Sequence, residues 1–305
     1  MKKVSIITVN YNQPLVTEAM LDSIARVSTY APLEVIVVDN GSTPNHVPDW
    51  EKKYPGVTFI RSEENLGFAG GNNLGINQAT GDYFFLANND TEFTEGLIER
   101  LAATLDAHPD AGIVSPKIRY YDQPDTLQYA GFTQMNYFTA RNSCIGQFEK
   151  DLGQHDHRTG ETGFIHGAAM MVRREAIEKA GLMPENYFLY YEEMDWCERI
   201  KKAGYTVWLN MQALIYHKES VSVGAKSPLK EYFMNRNRIL FVRRNCPTHA
   251  RMAFWPYYLC CVVSRNVIGY VAKRQWHFIP VLLKAVLWNI TNPVNSAKLG
   301  YTIKR

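Results

Sequence analysis

The sequence lacks a paired-cysteine pattern. Its five cysteines are odd in number and irregularly spaced, and no Cys-x-x-Cys motif occurs among them. This argues against a disulfide framework and a structural zinc site, and it indicates a reducing compartment. The N-terminal apolar run is too short for a signal-peptide core and soon meets Asn10 and Asn12. We therefore expect a cytoplasmic protein.

The chain also lacks a strong net charge and the common glycine motifs for nucleotides. A net charge of +3 argues against a nucleic-acid-binding protein. Neither Gly-x-Gly-x-x-Gly nor Gly-x-x-x-x-Gly-Lys-Ser/Thr occurs, so a dinucleotide fingerprint and a P-loop are both absent from the sequence. What the chain does have is 46% hydrophobic residues over 305 positions, enough for one large domain with or without an appendage.

Apolar, β-branched or aromatic runs alternate with helical patterns in the first third of the chain. The predicted strands cover residues 4–9, 33–38, 57–60 and 83–87, and predicted helices cover 15–27 and 68–79. This alternation predicts a parallel sheet with right-handed crossovers. Three of the strands end in loops with Asn or Asp, which should gather along one sheet edge, as in a nucleotide site.

The fourth predicted strand ends abruptly at Asn88, Asn89 and Asp90. Two amides and a carboxylate at a strand end are suited to hold a hard divalent cation and, through it, a diphosphate. Asn and Asp are equally common in ordinary turns. Taken alone, this stretch leaves both interpretations open.

A second unusual stretch places three carboxylates, Glu192, Glu193 and Asp195, directly after an aromatic run. Like charges this close raise one another's pKa, and a helix start tolerates them through its dipole. The pattern predicts a helix over about 194–203. The plain alternative is a solvated helix start, but the aromatic approach argues against full solvation.

Six motifs in order resemble those of the family 2 glycosyltransferases. They are Thr8-Val9-Asn10-Tyr11-Asn12, Val38-Asp39-Asn40-Gly41-Ser42, Glu64-Asn65-Leu66-Gly67-Phe68-Ala69-Gly70-Gly71-Asn72-Asn73, Asn88-Asn89-Asp90, Glu192-Glu193-Met194-Asp195 and His217. The resemblance spans about residues 3–217 and is strongest to bacterial rhamnosyltransferase-like enzymes of surface polysaccharide synthesis. It implies a GT-A α/β fold, with a mostly parallel central sheet and flanking helices.

The resemblance also implies a domain plan. Residues 1–225 form the catalytic domain, with a nucleotide-binding half over about 1–115 and an acceptor half over about 116–225. Residues 226–305 form a C-terminal helical extension.

The resemblance assigns the donor nucleotide to the first half of the chain. Asp39 would accept hydrogen bonds from a uracil or thymine ring, and Tyr11 would stack on that ring. Asn65 and Gly67 would shape the loop near the ribose and diphosphate. Thr8, Asn88 and Asn89 belong to the same nucleotide-binding set. The plain alternatives are turns capped by these residues and a tyrosine that merely covers the sheet edge.

The resemblance also implies a metal site. Asn88-Asn89-Asp90 takes the place of the family's Asp-x-Asp motif but keeps only the last carboxylate, so Asp90 is the expected ligand. His217 fits the position of the family's metal-binding histidine, although a single histidine is commonly structural. One carboxylate and one imidazole would leave positions on Mg²⁺ or Mn²⁺ for diphosphate oxygens and water.

Catalysis is implied to rest on the carboxylate cluster. Glu193 stands where the family has a catalytic Asp and would act as the base, with Glu192 orienting the acceptor. Asp195 belongs to the same cluster and is also expected to cap the helix. His166 and Gly167 match a family strand of small residues beside the acceptor, and close strand packing would explain them equally well.

From Lys226 onward the chain is basic and aromatic, with Glu231 as its one acid. Two apolar segments, 252–272 and 278–290, carry basic residues, so neither is a clean membrane span. The composition is typical of helices that lie in a membrane interface against anionic lipid. The alternatives are a helical cover on the core and an oligomer contact.

These expectations combine into an inverting sugar transfer from a nucleoside-diphosphate donor to a glycan or lipid-linked acceptor, at the inner face of the cell membrane. The resemblance suggests dTDP-rhamnose, with UDP-sugars also open. A nucleotidyltransferase would need a glycine-rich basic loop, which residues 10–14 do not supply. A degenerate site that only binds nucleotide or carbohydrate remains the non-enzymatic alternative.

Overall fold

The computed structural model describes residues 1–218 and 227–303. The strands in these residues are β1 (Val4–Asn10), β2 (Leu33–Asn40), β3 (Val57–Ser62), β4 (Tyr83–Ala87), β5 (Thr91–Phe93), β6 (Ala111–Tyr120), β7 (Leu127–Tyr129), β8 (Thr159–Glu161), β9 (Ala169–Arg173) and β10 (Thr206–His217). The helices are α1 (Pro14–Val27), α2 (Val47–Lys53), α3 (Gly67–Gln78), α4 (Leu97–Ala107), α5 (Arg174–Ala180), α6 (Glu192–Lys202), α7 (Pro228–Asn245), α8 (Thr248–Tyr257), α9 (Ser264–Ala272) and α10 (Phe278–Thr291). A π-helical turn, Tyr258–Val263, joins α8 to α9.

The strands form one mixed sheet in the order β3-β2-β1-β4-β9-β6-β10-β5. The first four strands of this order are mutually parallel, which confirms the parallel prediction for the nucleotide-binding half. Strand β9, whose direction the sequence did not predict, runs antiparallel to both β4 and β6. The described segment between β6 and β9 carries two short strands and no helix. Without a helical crossover, the chain returns in the opposite direction.

The centre of the sheet is covered on both faces. Ile6 and Phe85 pack into the core on one face, while their neighbours Ile7 and Leu86 pack into the core on the other. Successive side chains of a strand point to opposite faces, so a strand buried on both faces needs a continuous apolar run. This explains why β1 and β4 stood out in the sequence.

Three local features differ from what the sequence pattern suggests. The helical pattern over 94–108 suggests Thr94 as the N-cap, but α4 begins after Gly96, a residue with φ of 71°, and the Thr94 hydroxyl donates to the carbonyl of Leu214. Helix α2 was not expected, because it is short and has one buried apolar side chain, Trp50. The apolar runs 205–209 and 213–216 suggest two strands, but they form one strand, β10, whose pairing with β6 shifts between Asn210 and Leu214.

The C-terminal helices pack on the catalytic core. Asn237 of α7 donates to the backbone carbonyls of Tyr187, Leu189 and Tyr190 at 3.0, 2.7 and 2.8 Å. Arg236 is fully buried, with its guanidinium 4.0 Å from the ring of Trp288 on α10. The helical cover is therefore part of the extension's role. The expected domain boundary at 225/226 lies outside the described residues.

Candidate active site

The polar strand ends meet at one edge of the sheet, as predicted. Asn10, at the end of β1, donates to Asp39 at the end of β2 at 2.9 Å and to Ser42 at 3.0 Å. Its carbonyl side accepts from the Thr17 hydroxyl at 2.9 Å, and Asn89 donates to that hydroxyl at 3.0 Å. One chain of hydrogen bonds thus connects the predicted base-binding residue to the predicted metal motif.

Asp39 is fully buried and already has partners. Its carboxylate accepts from Asn10 and pairs with Arg61, which also donates to the Ser42 carbonyl at 3.0 Å. In this conformation, a nucleobase could hydrogen-bond the Asp39 carboxylate only if it displaced Arg61. The sequence reading missed Arg61. The feature that connects Arg61 to the site is its position on β3, directly opposite Asp39 in the parallel pairing of β3 with β2.

Two adjoining cavities open at this edge, of about 540 and 650 Å³. Both are bounded by Tyr11 and Asn65 from the nucleotide half, by Phe188 from the loop before α6, and by Ile303 from the C-terminal segment. Gly67, Asn88, Asn89 and Asp90 line the smaller one. Thr8 and Asp39 line neither, because both are fully buried behind the sheet edge. Volumes of this size suit a small-molecule ligand.

Asp90 and His217 meet at one end of the smaller cavity. Asp90 Oδ1 lies 3.1 Å from His217 Nε2, and both side chains are buried. Among the described residues, this Oδ1 accepts no hydrogen bond. Asn88 approaches the same His217 nitrogen at 3.4 Å. The structure therefore brings the two predicted metal-binding residues together.

Gln128 holds the His217 ring from its other side. The amide oxygen of Gln128 lies 2.8 Å from His217 Nδ1, a contact that needs a proton on Nδ1 because two acceptors would repel. In the neutral ring the lone pair is then on Nε2, which faces Asp90. A lone pair and a carboxylate oxygen at this distance require a cation or a proton between them.

The Asp90 and His217 side chains therefore fit a divalent metal. No group of three or more His, Cys, Asp or Glu side chains that could hold a metal occurs within residues 1–218 and 227–303. The remaining positions would fall to ligand oxygens and water, as Mg²⁺ and Mn²⁺ accept.

Glu192 and Glu193 begin α6 and differ from ordinary surface carboxylates. Burial raises the pKa of Glu193 to about 7, and burial together with the neighbouring Glu193 charge raises the pKa of Glu192 well above its usual range. The positive end of the helix favours ionised carboxylates, but here burial outweighs it. Glu192 Oε2 has no hydrogen-bond partner in the described chain. A carboxylate with a pKa near neutrality is suited to accept a proton.

His166 and Gly167 lie between the Glu193 side chain and the metal corner. A Cβ added to Gly167 would lie 3.8 Å from Glu193 Cγ and Cδ, so the missing side chain leaves room beside the carboxylate. The His166 ring lies 6.1 Å from the His217 ring, and burial, together with the neighbouring His217 imidazole, lowers the pKa of His166 to about 3. A strand had been expected for His166 and Gly167, but both residues lie in the turn that precedes β9.

Asp195 does not cap α6. The helix cap is Tyr191, with φ of 73°, and Asp195 lies inside the helix, fully buried. Its carboxylate accepts from the Tyr187 hydroxyl at 3.2 Å and from Asn245 of α7, and Arg244 lies 3.5 Å away. These contacts all involve Oδ1 and hold α6 against α7, while Oδ2 accepts no hydrogen bond from the described residues.

The architecture is that of GT-A glycosyltransferases. A mannosyltransferase from Pyrobaculum calidifontis, solved with GDP-Man and Mn²⁺, superposes with a TM-score of 0.59 at 17% identity, over 95% of this chain and 87% of that one. TarS 1-349 of S. aureus, solved with UDP-GlcNAc, superposes with a TM-score of 0.62 at 16% identity, over 94% of this chain and 80% of that one. At such identities the likeness shows the fold alone.

The sequence fixes the family within this class. The family described as "Glycosyl transferase family 2" matches residues 5–181, and the chain belongs to it. An N-acetylglucosaminyl-diphospho-decaprenol L-rhamnosyltransferase of Mycobacterium tuberculosis is 27% identical over 237 residues, covering 70% of this chain and 75% of the relative. The low-salt glycan biosynthesis hexosyltransferase Agl10 of Haloferax volcanii is 27% identical over 244 residues, covering 77% and 74%. The chain is accordingly a glycosyltransferase with relatives in surface glycan synthesis.

Proposed function

We propose that the protein is an inverting, metal-dependent transferase that moves a sugar from a nucleoside-diphosphate donor to a lipid-linked saccharide. The observation that carries the proposal is the pair of features at the two ends of the Gly167 turn. On one side stands a carboxylate, Glu193, whose pKa is raised to about 7, and on the other stands the Asp90–His217 corner. A base on one side of this turn and an anion site on the other suit a single displacement at a sugar carbon.

In this reaction, Glu193 accepts the proton of the acceptor hydroxyl as that oxygen attacks the anomeric carbon. The new glycosidic bond forms as the bond from the anomeric carbon to the diphosphate oxygen breaks, and the electron pair leaves with the nucleoside diphosphate. Attack opposite the leaving group inverts the anomeric centre. Gly167 leaves room beside Glu193 for the acceptor sugar, and neutral His166 is available to hydrogen-bond it.

The donor diphosphate belongs at the Asp90–His217 corner. Gln128 holds His217 so that Nε2 faces Asp90, and Asn88 and Asn89 flank the corner with amide groups. A divalent metal bound here would neutralise the charge that develops on the leaving group. Tyr11 and Asn65, at the junction of the two cavities, would contact the base and ribose.

The donor and acceptor are inferred from the relatives. The mycobacterial relative is named as a rhamnosyltransferase acting on a lipid diphosphate, which supports a dTDP-rhamnose donor and a polyprenyl-type acceptor. UDP-sugars fit the same corner. No helix in the described ranges is long and apolar enough to cross a membrane. For a lipid-linked acceptor, we propose that the C-terminal helices bind the membrane surface from its inner face.

Thermal unfolding with UDP, dTDP, GDP and CMP nucleotides, with and without Mn²⁺, tests the donor site. A ligand that binds only the folded state raises the free energy of unfolding by about 2.7 kcal/mol when its concentration is a hundredfold above its dissociation constant. We expect a Mn²⁺-dependent shift with dTDP or UDP that Asp90→Ala abolishes and that Asp49→Ala, at an exposed carboxylate of α2, retains. No shift with any nucleotide would contradict the donor site.

Transfer itself is tested with Glu193→Gln, which keeps the size of the side chain and removes the base. Turnover of a nucleotide sugar should fall by roughly 10²- to 10⁴-fold, while the Mn²⁺-dependent nucleotide shift remains. Glu175→Gln, in the exposed first turn of α5, is the matched control. Normal turnover in Glu193→Gln would overturn the assignment of the base. A nucleotide shift without turnover in the native protein would favour a binding protein.

A further inference from the structure

A basic cavity of about 450 Å³ lies between α7 and α9, outside the donor site. Ser227 lines both this cavity and the smaller donor cavity. Tyr191, which directly precedes Glu192 and Glu193, forms another part of its wall. The cavity therefore adjoins the reaction centre on the side of the catalytic helix.

The lining is strongly cationic. Lys230, Arg238, Arg265 and Lys273 all line the cavity, and Glu231 is the one carboxylate there in the described chain. Glu231 accepts from Asn235 at 2.7 Å and from the Tyr270 hydroxyl. The Glu231 carboxylate is therefore hydrogen-bonded to neutral donors.

Within the described part of the chain, the four cations have no anionic partner. Across residues 1–218 and 227–303, none of them forms an ion pair. Arg238 is nine-tenths buried, and its Nε has no hydrogen-bond partner there. A buried guanidinium with an unused donor costs stability unless a ligand satisfies it. Such a lining is complementary to phosphate oxygens.

The same helix that supplies this lining also presents apolar side chains to solvent. Arg265 and Tyr270 of α9 face the cavity, whereas Ile268 and Val271 of the same helix are exposed. A ligand that carries both a phosphate group and a hydrocarbon chain would match the two faces together. A free anion would match only the first.

We propose that this cavity binds the diphosphate of the lipid-linked acceptor. This inference rests on the proposed function, because it places the acceptor's anionic linker beside the helix that carries Glu193. Tyr191 lines the cavity and directly precedes the helix that carries Glu193, so the first sugar of the acceptor would lie between the bound diphosphate and that carboxylate. The donor diphosphate, held at the Asp90–His217 corner, uses a different set of residues.

The test measures binding of decyl diphosphate to the full chain carrying Glu193→Gln, without donor, by calorimetry. Adding Arg265→Ala with Lys273→Ala should weaken binding by roughly 10- to 100-fold, because each removed cation contributes charge-assisted hydrogen bonds. The matched control is Arg274→Asn with Lys298→Ala. It removes the same charge from exposed positions outside the cavity, and Asn tolerates the φ of 55° at Arg274. The control should bind within about threefold of its parent.

Four results would overturn the proposal. Equal weakening in both pairs would show a non-specific charge effect, and no weakening in either would show that the cavity is not used. Equal binding of inorganic diphosphate would indicate a free-anion site, and displacement by phosphatidylglycerol vesicles with the same mutational pattern would indicate a phospholipid headgroup site. Arg265→Gln with Lys273→Gln repeats the test if the alanine pair unfolds.

Because the binding is measured without donor, these results are independent of transfer activity. Failure of transfer with every donor would overturn the proposed function while leaving a decyl diphosphate site intact. If decyl diphosphate does not bind in the cavity but sugar is still transferred to a soluble saccharide, the cavity proposal is overturned and the proposed transfer stands.

Discussion

Gly67 and Phe188 are in direct backbone contact. A Cβ added to Gly67 would lie 2.4 Å from the carbonyl oxygen of Phe188, and that oxygen accepts a hydrogen bond from Phe68 N at 2.9 Å. Gly67 has φ of 75° and Phe188 has φ of 66°. The contact ties the start of α3, beside the donor cavity, to the loop that leads into α6 and Glu193.

Gly67→Ala should therefore damage both halves of the site. The new methyl group meets a backbone oxygen, and alanine disfavours the left-handed conformation. We expect a loss of about 1–3 kcal/mol in the free energy of unfolding, measured by denaturant titration, together with weaker nucleotide binding. Gly56→Ala is the control, since a Cβ there meets nothing within 4 Å and the φ is ordinary. Equal stability of the two variants would contradict the importance of this contact.

The raised pKa of Glu193 predicts the pH dependence of activity. A base must be ionised in the free enzyme, so kcat/KM should rise with pH and level off above a pKa of about 7. The profile is measured at saturating Mn²⁺. In Glu193→Gln the residual rate should lose this inflection. An inflection that stays in the variant would assign the titration to another group.

Stability should change with pH in the opposite direction. Below the unfolded value of 4.5, Glu193 is protonated in both states; between 4.5 and about 7 the folded protein holds a proton that the unfolded chain has lost. Folding is therefore favoured at the acidic end of this window, and that contribution disappears as pH rises through about 7. Glu193→Gln, uncharged throughout, should gain stability relative to the native protein between pH 5 and 8. The stabilities of the two proteins are compared by thermal unfolding over this pH range. A lower stability of Glu193→Gln than of the native protein would contradict the burial of this carboxyl group.

The sequence predicted the nucleotide-binding half well because local signals there agree with the fold. Strands buried on both faces read as continuous apolar runs, and β4 was bounded correctly at Tyr83 and Ala87. The polar residues that follow parallel strands must meet at one edge. Asp90 and His217, though far apart in sequence, were paired by the resemblance alone, and the structure places them 3.1 Å apart.

What the sequence could not show depends on contacts between distant segments. Asp195 lies two residues after Glu193 along the chain, but the helical turn carries its side chain into the interface with Asn245. Arg61 gained a role only through the pairing of β3 with β2. The antiparallel direction of β9 follows from a long connection without periodicity. Charge and spacing along the chain do not specify such tertiary partners.

Gln128 is expected to tune metal affinity through His217. Gln128→Leu removes the acceptor at 2.8 Å from Nδ1, so the ring loses its fixed tautomer and orientation. Loss of such a supporting partner typically weakens metal affinity by about 10- to 100-fold. We expect the Mn²⁺ concentration for half-maximal activity to rise by that factor, with the maximal rate largely recovered at high Mn²⁺.

Gln123→Leu is the matched control for this substitution, since the Gln123 side chain is exposed on the connection between β6 and β7. If Gln128→Leu lowers the rate by the same factor at every Mn²⁺ concentration and leaves the half-maximal Mn²⁺ concentration unchanged, a positioning role is contradicted. An unchanged Mn²⁺ dependence would contradict it equally.

Helix α10 carries an exposed apolar stripe that predicts membrane binding. Leu283, Leu287 and Ile290 are each more than half exposed and recur at helical spacing. Leu283→Ser with Leu287→Ser should weaken co-sedimentation with phosphatidylglycerol vesicles by at least about tenfold, because two leucines leave the interface. Leu15→Ser with Leu152→Ser, which removes two even more exposed leucines outside the C-terminal helices, should leave binding unchanged. If both pairs bind vesicles equally and only the first pair elutes later in gel filtration, the stripe is instead a contact between copies of the chain.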